Sequence, residues 1–435
     1  MKILVIGGGG REHAIIKKLK ENPQVAQVTC LPGNAGIAQD AECVNIRATD
    51  IDGIVRYVRE HPVDFAVVAP DDPLALGCVD RLHELGVKCF GPDARAARIE
   101  ASKVFAKDLM KKYGIPTASY EAFDDAEKAL EYVKRCPIPV VVKADGLALG
   151  KGVVIAFSRD EAVSAVRAAM IEGAFGASGS RVVIEEYLEG PEVSVLAFTD
   201  GHAIKPMVSS MDHKRVGDGD IGPNTGGMGT VAPNPFYTPD VAGRCMREIF
   251  LPTVAAMNAE GCPFKGCLYF GLMVTKDGPK VIEYNCRFGD PETQVVLPLL
   301  KSDLLTVMLA VENETLADCP VELSDGAACC VMLASDGYPG RYEKGKVIDL
   351  GNAGQTAELF HSGTARDAEG RLVTAGGRVL GVCCTADDLV TAVHRAYAAA
   401  EQVKWDGMIY RKDIGQRALR IQNHRGCLKT TRQDT

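Results

Sequence analysis

Several features are missing from this 435-residue sequence, and each absence argues against a class of protein. No apolar run approaches the roughly 18 residues that mark a membrane span. No positively charged leader with a cleavage site precedes the first apolar segment. The formal net charge is −8, which disfavours general attraction to nucleic acid or to a membrane surface. No tandem repeat recurs at a fixed period. We therefore expect a cytoplasmic protein that binds neither nucleic acid nor membrane.

Cysteine pairs with C-x-x-C spacing are also missing, although the chain contains 15 cysteines. Many of them lie in apolar segments, such as the adjacent pairs Cys329, Cys330 and Cys383, Cys384. A disulfide-rich secreted domain would be shorter and richer in loops. We predict reduced, buried thiols that pack as small hydrophobic side chains.

The N-terminal region has the pattern of a parallel α/β sheet. Short apolar segments alternate with helical ones, and the predicted strands are Ile3–Ile6, Val28–Leu31, Phe65–Ala69 and Lys88–Phe90. An apolar fraction of 46% and a charged fraction of 24% are ordinary for a globular protein, and the length allows roughly three domains. We predict an N-terminal α/β domain over residues 1–103, a larger unit over 104–325, a small α+β domain over 326–425 and a polar tail over 426–435.

The segment 281–292 (VIEYNCRFGDPE) carries the most chemistry, because an apolar strand runs directly into polar residues. Glu283 and Asn285 are two residues apart, so both point to the same face of a strand. Two oxygen donors on one face suit a Mg²⁺ ion that bridges nucleotide phosphates. Arg287 shares this parity if the strand continues, and its guanidinium can grip a phosphate or carboxylate. The plain alternative is a capped strand end.

A lysine- and glycine-rich loop lies upstream, between Lys143 and Gly152. Its three glycines free the backbone to close over phosphates, and two lysines supply charge. It is not a Walker A loop, because no Gly-Lys-Ser/Thr follows. A flexible hairpin with solvated lysines is the alternative. About 40 residues later, a strand ending near Glu186 can offer backbone groups to an adenine, and Glu192 can accept from ribose hydroxyls.

Two further glycine-rich regions are candidates for anion binding. The tetraglycine Gly7–Gly10 follows a strand, but the third glycine of a dinucleotide fingerprint is replaced by Glu12. It is either a tight turn against a phosphate or a simple strand–helix turn. The charged patch Asp212–Arg215 precedes the loop Gly222–Gly229, whose amides and hydroxyl suit carboxylates and phosphates. A solvated loop is the alternative there, and His213 alone does not indicate catalysis.

These motifs, in this order, resemble the phosphoribosylamine–glycine ligases, also called glycinamide ribonucleotide synthetases. The resemblance spans nearly the whole chain, through the segments Gly9–Ala14, Pro32–Gly36, Lys143–Gly146, Asp212–Arg215, Gly222–Gly229, Asn285–Gln294 and Arg411–Gly415. It implies an ATP-grasp fold in which two α+β subdomains clamp ATP, with residues 116–190 as the mobile ATP lid. It also implies the joining of glycine to 5-phosphoribosylamine with ATP and Mg²⁺ or Mn²⁺, and transient contact with neighbouring purine-pathway enzymes.

The resemblance assigns roles to individual residues. It implies ATP contacts from Lys103, Lys143, Gly146, Gly150, Lys151, Gly152, Glu185, Glu186, Tyr187, Leu188, Glu192 and Leu272. It implies substrate contacts from Gly9, Gly10, Gly33, Asn34, Gly36, Asp71, Asp212, His213, Lys214, Asn224, Thr225, Gly226, Gly227, Arg287, Asp290 and Pro291. It implies catalytic roles for Lys143, Asp212, Lys214 and Arg287, and metal binding by Glu283 and Asn285.

The chain departs from the family pattern at a few positions. Asp71 is one methylene shorter than the usual glutamate, Leu149 precedes Gly150 where alanine is common, and Gly271–Met273 lacks the further metal-binding acid of many ATP-grasp enzymes. Three other functions compete: an oxidoreductase using the N-terminal domain, a non-catalytic binding protein that keeps the fold, and a carboxyaminoimidazole ribonucleotide synthetase. The defective dinucleotide fingerprint, the intact charged residues and the RFGDPE segment argue against them in turn.

Overall fold

The N-terminal part of the computed structural model, which describes residues 1–147 and 152–421, is a parallel sheet flanked by helices. The strands are β1 Lys2–Gly7, β2 Gln27–Pro32, β3 Glu42–Cys43, β4 Phe65–Val68 and β5 Lys88–Phe90. The helices are α1 Gly10–Leu19, α2 Ile51–Glu60, α3 Asp71–Ala75, α4 Cys78–His83 and α5 Ala94–Ala101. The strand order is β3-β2-β1-β4-β5, and every neighbouring pair is parallel. The predicted parallel sheet is confirmed, with the short strand β3 added.

The next segment forms a small antiparallel sheet covered by two helices. Its elements are α6 Lys103–Tyr113, β6 Tyr120–Phe123, α7 Ala126–Val133, β7 Val140–Ala144, β8 Val153–Ala156, α8 Arg159–Met170 and β9 Val182–Glu186. The order is β6-β9-β7-β8. The apolar sides of α7, α8 and the sheet form a core of their own, around Val133, Val142, Val166 and Ile184. This subdomain is therefore packed around its own interior.

A second antiparallel sheet forms the centre of the molecule. The segment contains β10 Glu192–Asp200, β11 Ile204–Pro206, β12 Met211–Asp212, β13 Arg215–Gly217, β14 Ile221–Asn224, β15 Gly229–Ala232, α9 Pro239–Cys245, α10 Leu251–Ala259, β16 Lys265–Thr275, β17 Gly278–Asn285, α11 Thr293–Val296 and α12 Leu304–Glu312. The order β11-β10-β16-β17 is antiparallel throughout. Across β16 and β17, Gly271 pairs with Glu283 and Leu272 pairs with Val281. Ile282 of β17 therefore has no partner residue and is the extra residue of a β-bulge.

The C-terminal segment forms a third antiparallel sheet, which also includes two strands from the middle of the chain. Its elements are β18 Ala327–Ser335, α13 Ala353–Thr356, β19 Glu358–His361, β20 Thr364–Arg366, β21 Leu372–Thr374, β22 Arg378–Ala386, α14 Leu389–Ala400 and β23 Met408–Ile409. The order is β12-β15-β18-β22-β19, and β23 also pairs with β18. Since β12 and β15 precede residue 233, this sheet crosses the boundary predicted near residue 325.

The cysteines behave as predicted within the described ranges. All 14 cysteines there are free thiols, and most are buried. Cys329 faces Cys384 and Cys330 faces Cys383 across β18 and β22, inside the apolar core of this sheet. None of the helices in the described part of the chain is both long and apolar enough to cross a bilayer.

Candidate active site

A cavity of about 810 Å³ lies where the N-terminal sheet, the small sheet of β6–β9, the central sheet and the C-terminal segment meet. We call the small sheet the lid sheet, after the predicted ATP lid. Each part supplies charged walls, for example Asp71 from the N-terminal domain, Lys143 from β7, Glu283 from β17 and Arg378 from β22. A cavity with several converging polar groups is the usual position of a ligand site. We divide it into a cationic end (Lys103, Lys107 and Lys143), the predicted metal-binding edge (Glu283 and Asn285) and a second end around Asp212 and Arg378.

The cationic end consists of Lys103, Lys107 and Lys143 with one glutamate, Glu185. Glu185 lies between Lys107 and Lys143, and each lysine Nζ is 3.0 Å from one of its carboxylate oxygens. Lys143 Nζ also donates to the carbonyl of the bulged residue Ile282, at 3.0 Å. Burial lowers the pKa of Lys107 to about 8, even though Glu185 favours the charged form. The bulge in β17 therefore orients a lysine of the lid sheet toward the cavity.

The base of the glycine-rich loop is attached to the first turn of α6. The Asp145 carboxylate accepts from Ser102 Oγ and from the backbone N–H of Val104, both at 3.1 Å. Lys103 Nζ donates to the Gly146 carbonyl at 2.8 Å. Gly146 has φ +119°, a conformation that favours glycine. The predicted contacts Gly150 and Lys151, and the departure at Leu149, lie outside the described residues.

The end of β9 and the strand β16 form an apolar wall beside this cationic end. Tyr187, Leu188 and Met273 line the cavity, and Glu186 pairs with Lys280 at 3.2 Å. Leu272, which the family resemblance places at the nucleotide, is fully buried in the core on the opposite face of β16. Side chains alternate along a strand, so Met273 occupies the cavity face that Leu272 leaves.

Glu283 and Asn285 line the same cavity, as their spacing in β17 predicts. Burial alone would raise the pKa of Glu283, but the nearby charges of Lys214, Lys143 and Lys103 lower it overall, so the carboxylate is ionised. In residues 1–147 and 152–421, no three His, Cys, Asp or Glu side chains form a ready-made metal cage. An ionised carboxylate and an amide oxygen suit a Mg²⁺ that takes its other ligands from phosphates and water. The residues present therefore fit such an ion.

The second end, which is predicted to bind an anion, combines the partly buried carboxylate of Asp212 with loops held by Arg378. Asp212 is partly buried, and desolvation together with the charge of Glu292 raises the pKa of its carboxyl group. Arg378 binds the Asp290 carboxylate at 3.1 Å and the Gly226 carbonyl at 2.6 Å. One side chain of β22 thus joins the loop after β14 to the segment after β17. Lys214 lies 2.9 Å from Glu192 and 3.7 Å from Glu283, between this end and the metal-binding edge.

Arg287 is held by a carboxylate of the N-terminal domain. Strand β17 ends at Asn285, so the condition under which Arg287 would share the parity of Glu283 and Asn285, a strand that continues through it, is not met. Its guanidinium instead lies 3.0 Å from Glu100, at the end of α5. Asp71 also faces this group and favours its charged form.

Comparisons with known proteins identify the family of this chain. Three family models match the chain: the N domain of phosphoribosylglycinamide synthetase over residues 1–100, its ATP-grasp (A) domain over 101–293 and its C domain over 328–417. The chain belongs to the phosphoribosylglycinamide synthetase family.

Individual relatives of this synthetase family cover almost the whole chain. The phosphoribosylamine–glycine ligase of Vibrio vulnificus is 48% identical over 424 residues, which is 96% of this chain and 99% of the relative. The trifunctional purine biosynthetic protein adenosine-3 of Gallus gallus is 48% identical over 96% of this chain, which spans 42% of that longer protein. The crystal structure of the Thermotoga maritima phosphoribosylamine–glycine ligase has a TM-score of 0.85 and 36% identity, and covers 95% of this chain and 100% of that one.

Most residues that the family resemblance singled out line the cavity. They are Asp71, Lys103, Lys143, Gly146, Gly152, Glu185, Glu186, Tyr187, Leu188, Glu192, Asp212, His213, Lys214, Asn224, Thr225, Gly226, Glu283, Asn285, Arg287 and Asp290. A second group does not line the cavity, namely Gly9, Gly10, Gly33, Asn34, Gly36, Gly227, Leu272 and Pro291. The structure brings the first group together; the role of each residue remains a prediction.

In the N-terminal glycine turn Gly7–Gly10, the backbone is bound by the side chain of Glu12, from the first turn of α1. Glu12 accepts from the Gly9 N–H at 2.6 Å and pairs with Arg11 at 2.7 Å. The carboxylate therefore sits where a dinucleotide pyrophosphate would bind. Asn34 donates to the carbonyls of Gly8 and His361, at 2.9 and 2.7 Å. The Asn34 side chain therefore joins the turn at Gly8 to the chain at His361. Because its amide nitrogen is used in these two contacts, a ligand near this turn would contact backbone groups instead.

His213 has both ring nitrogens next to backbone groups. Nδ1 lies 3.1 Å from the Gly229 carbonyl, and Nε2 accepts from the Gly415 N–H at 3.2 Å. This pattern requires a neutral ring with its proton on Nδ1. Burial and the charge of Arg411 lower the pKa of His213 to about 4. The ring therefore connects the loop to the C-terminal RKDIG segment and is poorly placed for proton transfer.

Several lining residues escaped the sequence reasoning, above all Glu100, Lys107, Tyr269 and Arg378. Lys107 had a usable signal, because it follows Lys103 by one helical turn and shares its face. Glu100 and Arg378 had none. Their partners lie far away in the chain, and an isolated charged residue in a helix or strand is usually solvated.

Proposed function

We propose that this chain joins glycine to 5-phosphoribosylamine and converts ATP to ADP and phosphate, giving glycinamide ribonucleotide. The observation that carries the proposal is a single cavity with a lysine-rich end, an ionised Glu283 beside Asn285, and a second end built by Asp212 and Arg287. ATP and a carboxylate substrate are both anionic, and each needs its own cationic groups when they meet in one cavity.

The lysine-rich end suits the nucleotide. Lys103 and Lys143 would contact the ATP phosphates, the wall at Glu186–Leu188 would hold adenine, and Glu192 would bind the ribose. The subdomain 116–190 would close over ATP as a unit, which its separate core supports. Glu283 and Asn285 would hold Mg²⁺ or Mn²⁺, which when bound neutralises phosphate charge and orients the γ-phosphoryl group.

The second end suits glycine and the ribose phosphate. Asp212, Lys214 and Arg287 combine one carboxylate with two cations, which matches an amino acid that carries both charges. The amide- and hydroxyl-rich loop Asn224–Gly227 would contribute backbone groups to an anion. Arg378 holds this loop against Asp290, so the loop is positioned before substrate arrives.

The chemistry needs no covalent nucleophile from the protein. The glycine carboxylate oxygen attacks the γ-phosphorus, and the bond from that phosphorus to ADP breaks. The amine nitrogen of phosphoribosylamine then attacks the glycyl carbonyl, loses a proton and displaces phosphate. Two anions must approach each other in the first step, so Lys143, Lys214 and Arg287 act by neutralising charge and fixing positions. Closure of the lid would exclude the water that destroys the glycyl phosphate.

The deciding experiment supplies freshly made phosphoribosylamine and follows ADP release with and without glycine. We expect release that requires both substrates. Release without glycine, or none at all, would contradict the proposal. Glu283→Ala should lower turnover by more than about 100-fold, since outer groups around metal sites already cost 10–100-fold. Glu84→Ala, at an exposed position immediately after α4, is the matched control and should retain full turnover.

Contacts with neighbouring enzymes of purine biosynthesis are a further part of the proposal. The Gallus gallus relative is a single longer protein described as trifunctional and purine-biosynthetic. Transient association of separate chains would be the corresponding arrangement here.

A further inference from the structure

We propose that Glu100 is a positioning residue that orients the Asn285 amide and the Arg287 guanidinium, and so links the metal-binding edge to the substrate end. The identity of these two ends rests on the proposed function. Glu100 lies in the last turn of α5, in the N-terminal domain, and is 8% exposed. It belongs to none of the motifs that point to the active site.

Glu100 binds three consecutive residues at the end of β17, of which Asn285 is the last residue of the strand. Its Oε1 accepts from Asn285 Nδ2 at 2.8 Å and from Arg287 at 3.0 Å, and its Oε2 accepts from the Cys286 backbone N–H at 2.7 Å. Both carboxylate oxygens are therefore in use. Glu100 and Asn285 are 185 residues apart in the chain, so this contact exists only when the two domains are packed together.

The contact decides which end of the Asn285 amide faces the cavity. An ionised carboxylate can accept hydrogen bonds but cannot donate one. Glu100 therefore attracts the amide nitrogen of Asn285, and a flipped amide would place two oxygens 2.8 Å apart. With the nitrogen held by Glu100, the amide oxygen is left for a cation. Partners of this kind, one shell outside the ligands, commonly set ligand orientation at metal sites.

The same carboxylate leaves Arg287 with a donor to spare. One terminal nitrogen of the guanidinium binds Glu100, and the other donates to the Phe288 carbonyl at 3.3 Å. Its Nε is buried and has no hydrogen-bond partner within the described part of the chain. A buried unpaired donor is costly unless a ligand satisfies it. Glu100 thus holds Arg287 in a conformation that still offers a hydrogen bond.

Because Oε1 receives both contacts, a shift of Asn285 toward its ligand changes the position available to Arg287. Glutamine at position 100 cannot reproduce this arrangement. In one orientation, the glutamine oxygen accepts from Asn285 and Arg287, and its NH₂ group then faces the Cys286 backbone N–H. In the other orientation, its oxygen accepts from Cys286, and its NH₂ group then faces the Arg287 donor and favours a flipped Asn285 amide. Either way two donors face each other.

The test measures binding without turnover. Mn²⁺ affinity in the presence of ADP is measured by electron paramagnetic resonance for wild type, Glu100→Gln and the exposed control Glu84→Gln. We expect Glu100→Gln to weaken Mn²⁺ binding by about 10-fold or more and the control to match wild type. Unchanged affinity in Glu100→Gln would overturn the proposal.

A double-mutant cycle with Asn285→Ala separates positioning from a general structural role. If Glu100 acts through Asn285, Glu100→Gln has little further effect on Mn²⁺ affinity once that amide is absent. An equal loss in both backgrounds would show that Glu100 does not act through Asn285. Circular dichroism checks folding. If Glu100→Gln does not fold, Glu100→Asp replaces it in the double-mutant cycle. Aspartate keeps the negative charge but has a shorter side chain, so we expect a smaller loss of Mn²⁺ affinity.

The substrate end has its own readout. Calorimetric affinity for glycinamide ribonucleotide should fall at least about fivefold in Glu100→Gln and stay unchanged in Glu84→Gln; wild-type affinity in the Glu100 variant would remove the proposed link to Arg287. Failure of wild type to bind this compound would contradict the proposed function, whereas the Mn²⁺ measurement would still test Glu100.

Discussion

Glu185 separates two buried lysines at the cationic end of the cavity, and its replacement by glutamine removes the negative charge between them. The side chains of Glu185, Lys107 and Lys143 are 3%, 3% and 5% exposed, and both ion-pair distances are 3.0 Å. Burial has already lowered the pKa of Lys107 to about 8. In Glu185→Gln, the two lysines would remain side by side in a poorly solvated position without the carboxylate that pairs with both.

The expected cost follows from what breaking a buried ion pair does. Removing one partner commonly costs about 3–5 kcal/mol, because the remaining charge is buried without compensation. Replacing the whole pair with apolar groups is far less costly. The double variant Glu185→Gln/Lys107→Met should therefore recover at least about 1 kcal/mol relative to Glu185→Gln, although it removes a second charged residue.

Hydrogen exchange of β7 and β9 is the suitable assay, because the lid sheet has its own core and can open locally. A loss of about 3 kcal/mol corresponds to amide exchange in these strands that is roughly 100-fold faster. Glu131→Gln is the control in the same subdomain, since its pair with Arg135 is exposed and 3.9 Å long; its exchange should match wild type. Unchanged exchange in Glu185→Gln, or no recovery in the double variant, would refute the argument.

Two further predictions concern the loop between β12 and β15. His213 has a pKa of about 4 in the folded state against 6.5 in the unfolded chain, so the unfolded state binds more protons between these values; stability is complete above pH 6.5 and falls by up to about 3 kcal/mol as the pH drops to 4. Urea unfolding at pH 7 and 4.5 should show this fall, and a smaller one in His213→Gln; equal falls in both would contradict it. Gly227 has φ +107°, and a Cβ there would lie 2.5 Å from Pro291 and 2.6 Å from Asp212. Gly227→Ala should raise KM for glycine about 10-fold or more and leave ADP affinity unchanged, whereas Gly86→Ala, with φ +76° and nothing within 4 Å, should leave both at wild-type values.

The sequence alone determined the features that depend on local spacing. Alternation of apolar strands and helices predicted the parallel N-terminal sheet, and its strands appear within about one residue of their expected ends. A spacing of two placed Glu283 and Asn285 on one face of β17, where both line the cavity. The order of glycine-rich and charged motifs indicated the family. These features depend on residues that are close together in the sequence, because backbone geometry fixes the directions of nearby side chains.

Only the tertiary structure decided which distant charges meet. Glu100 reaches Asn285 and Arg287 because α5 packs beside the end of β17, and Arg378 reaches Asp290 because β22 lies in a sheet completed by β12 and β15. The sequence also left open whether β17 continues through Arg287; the strand ends at Asn285, and Arg287 pairs with Glu100 of the N-terminal domain. Burial then turns these contacts into strong ones, since a buried charge must be paired whatever its distance along the chain. No local pattern records such a pairing.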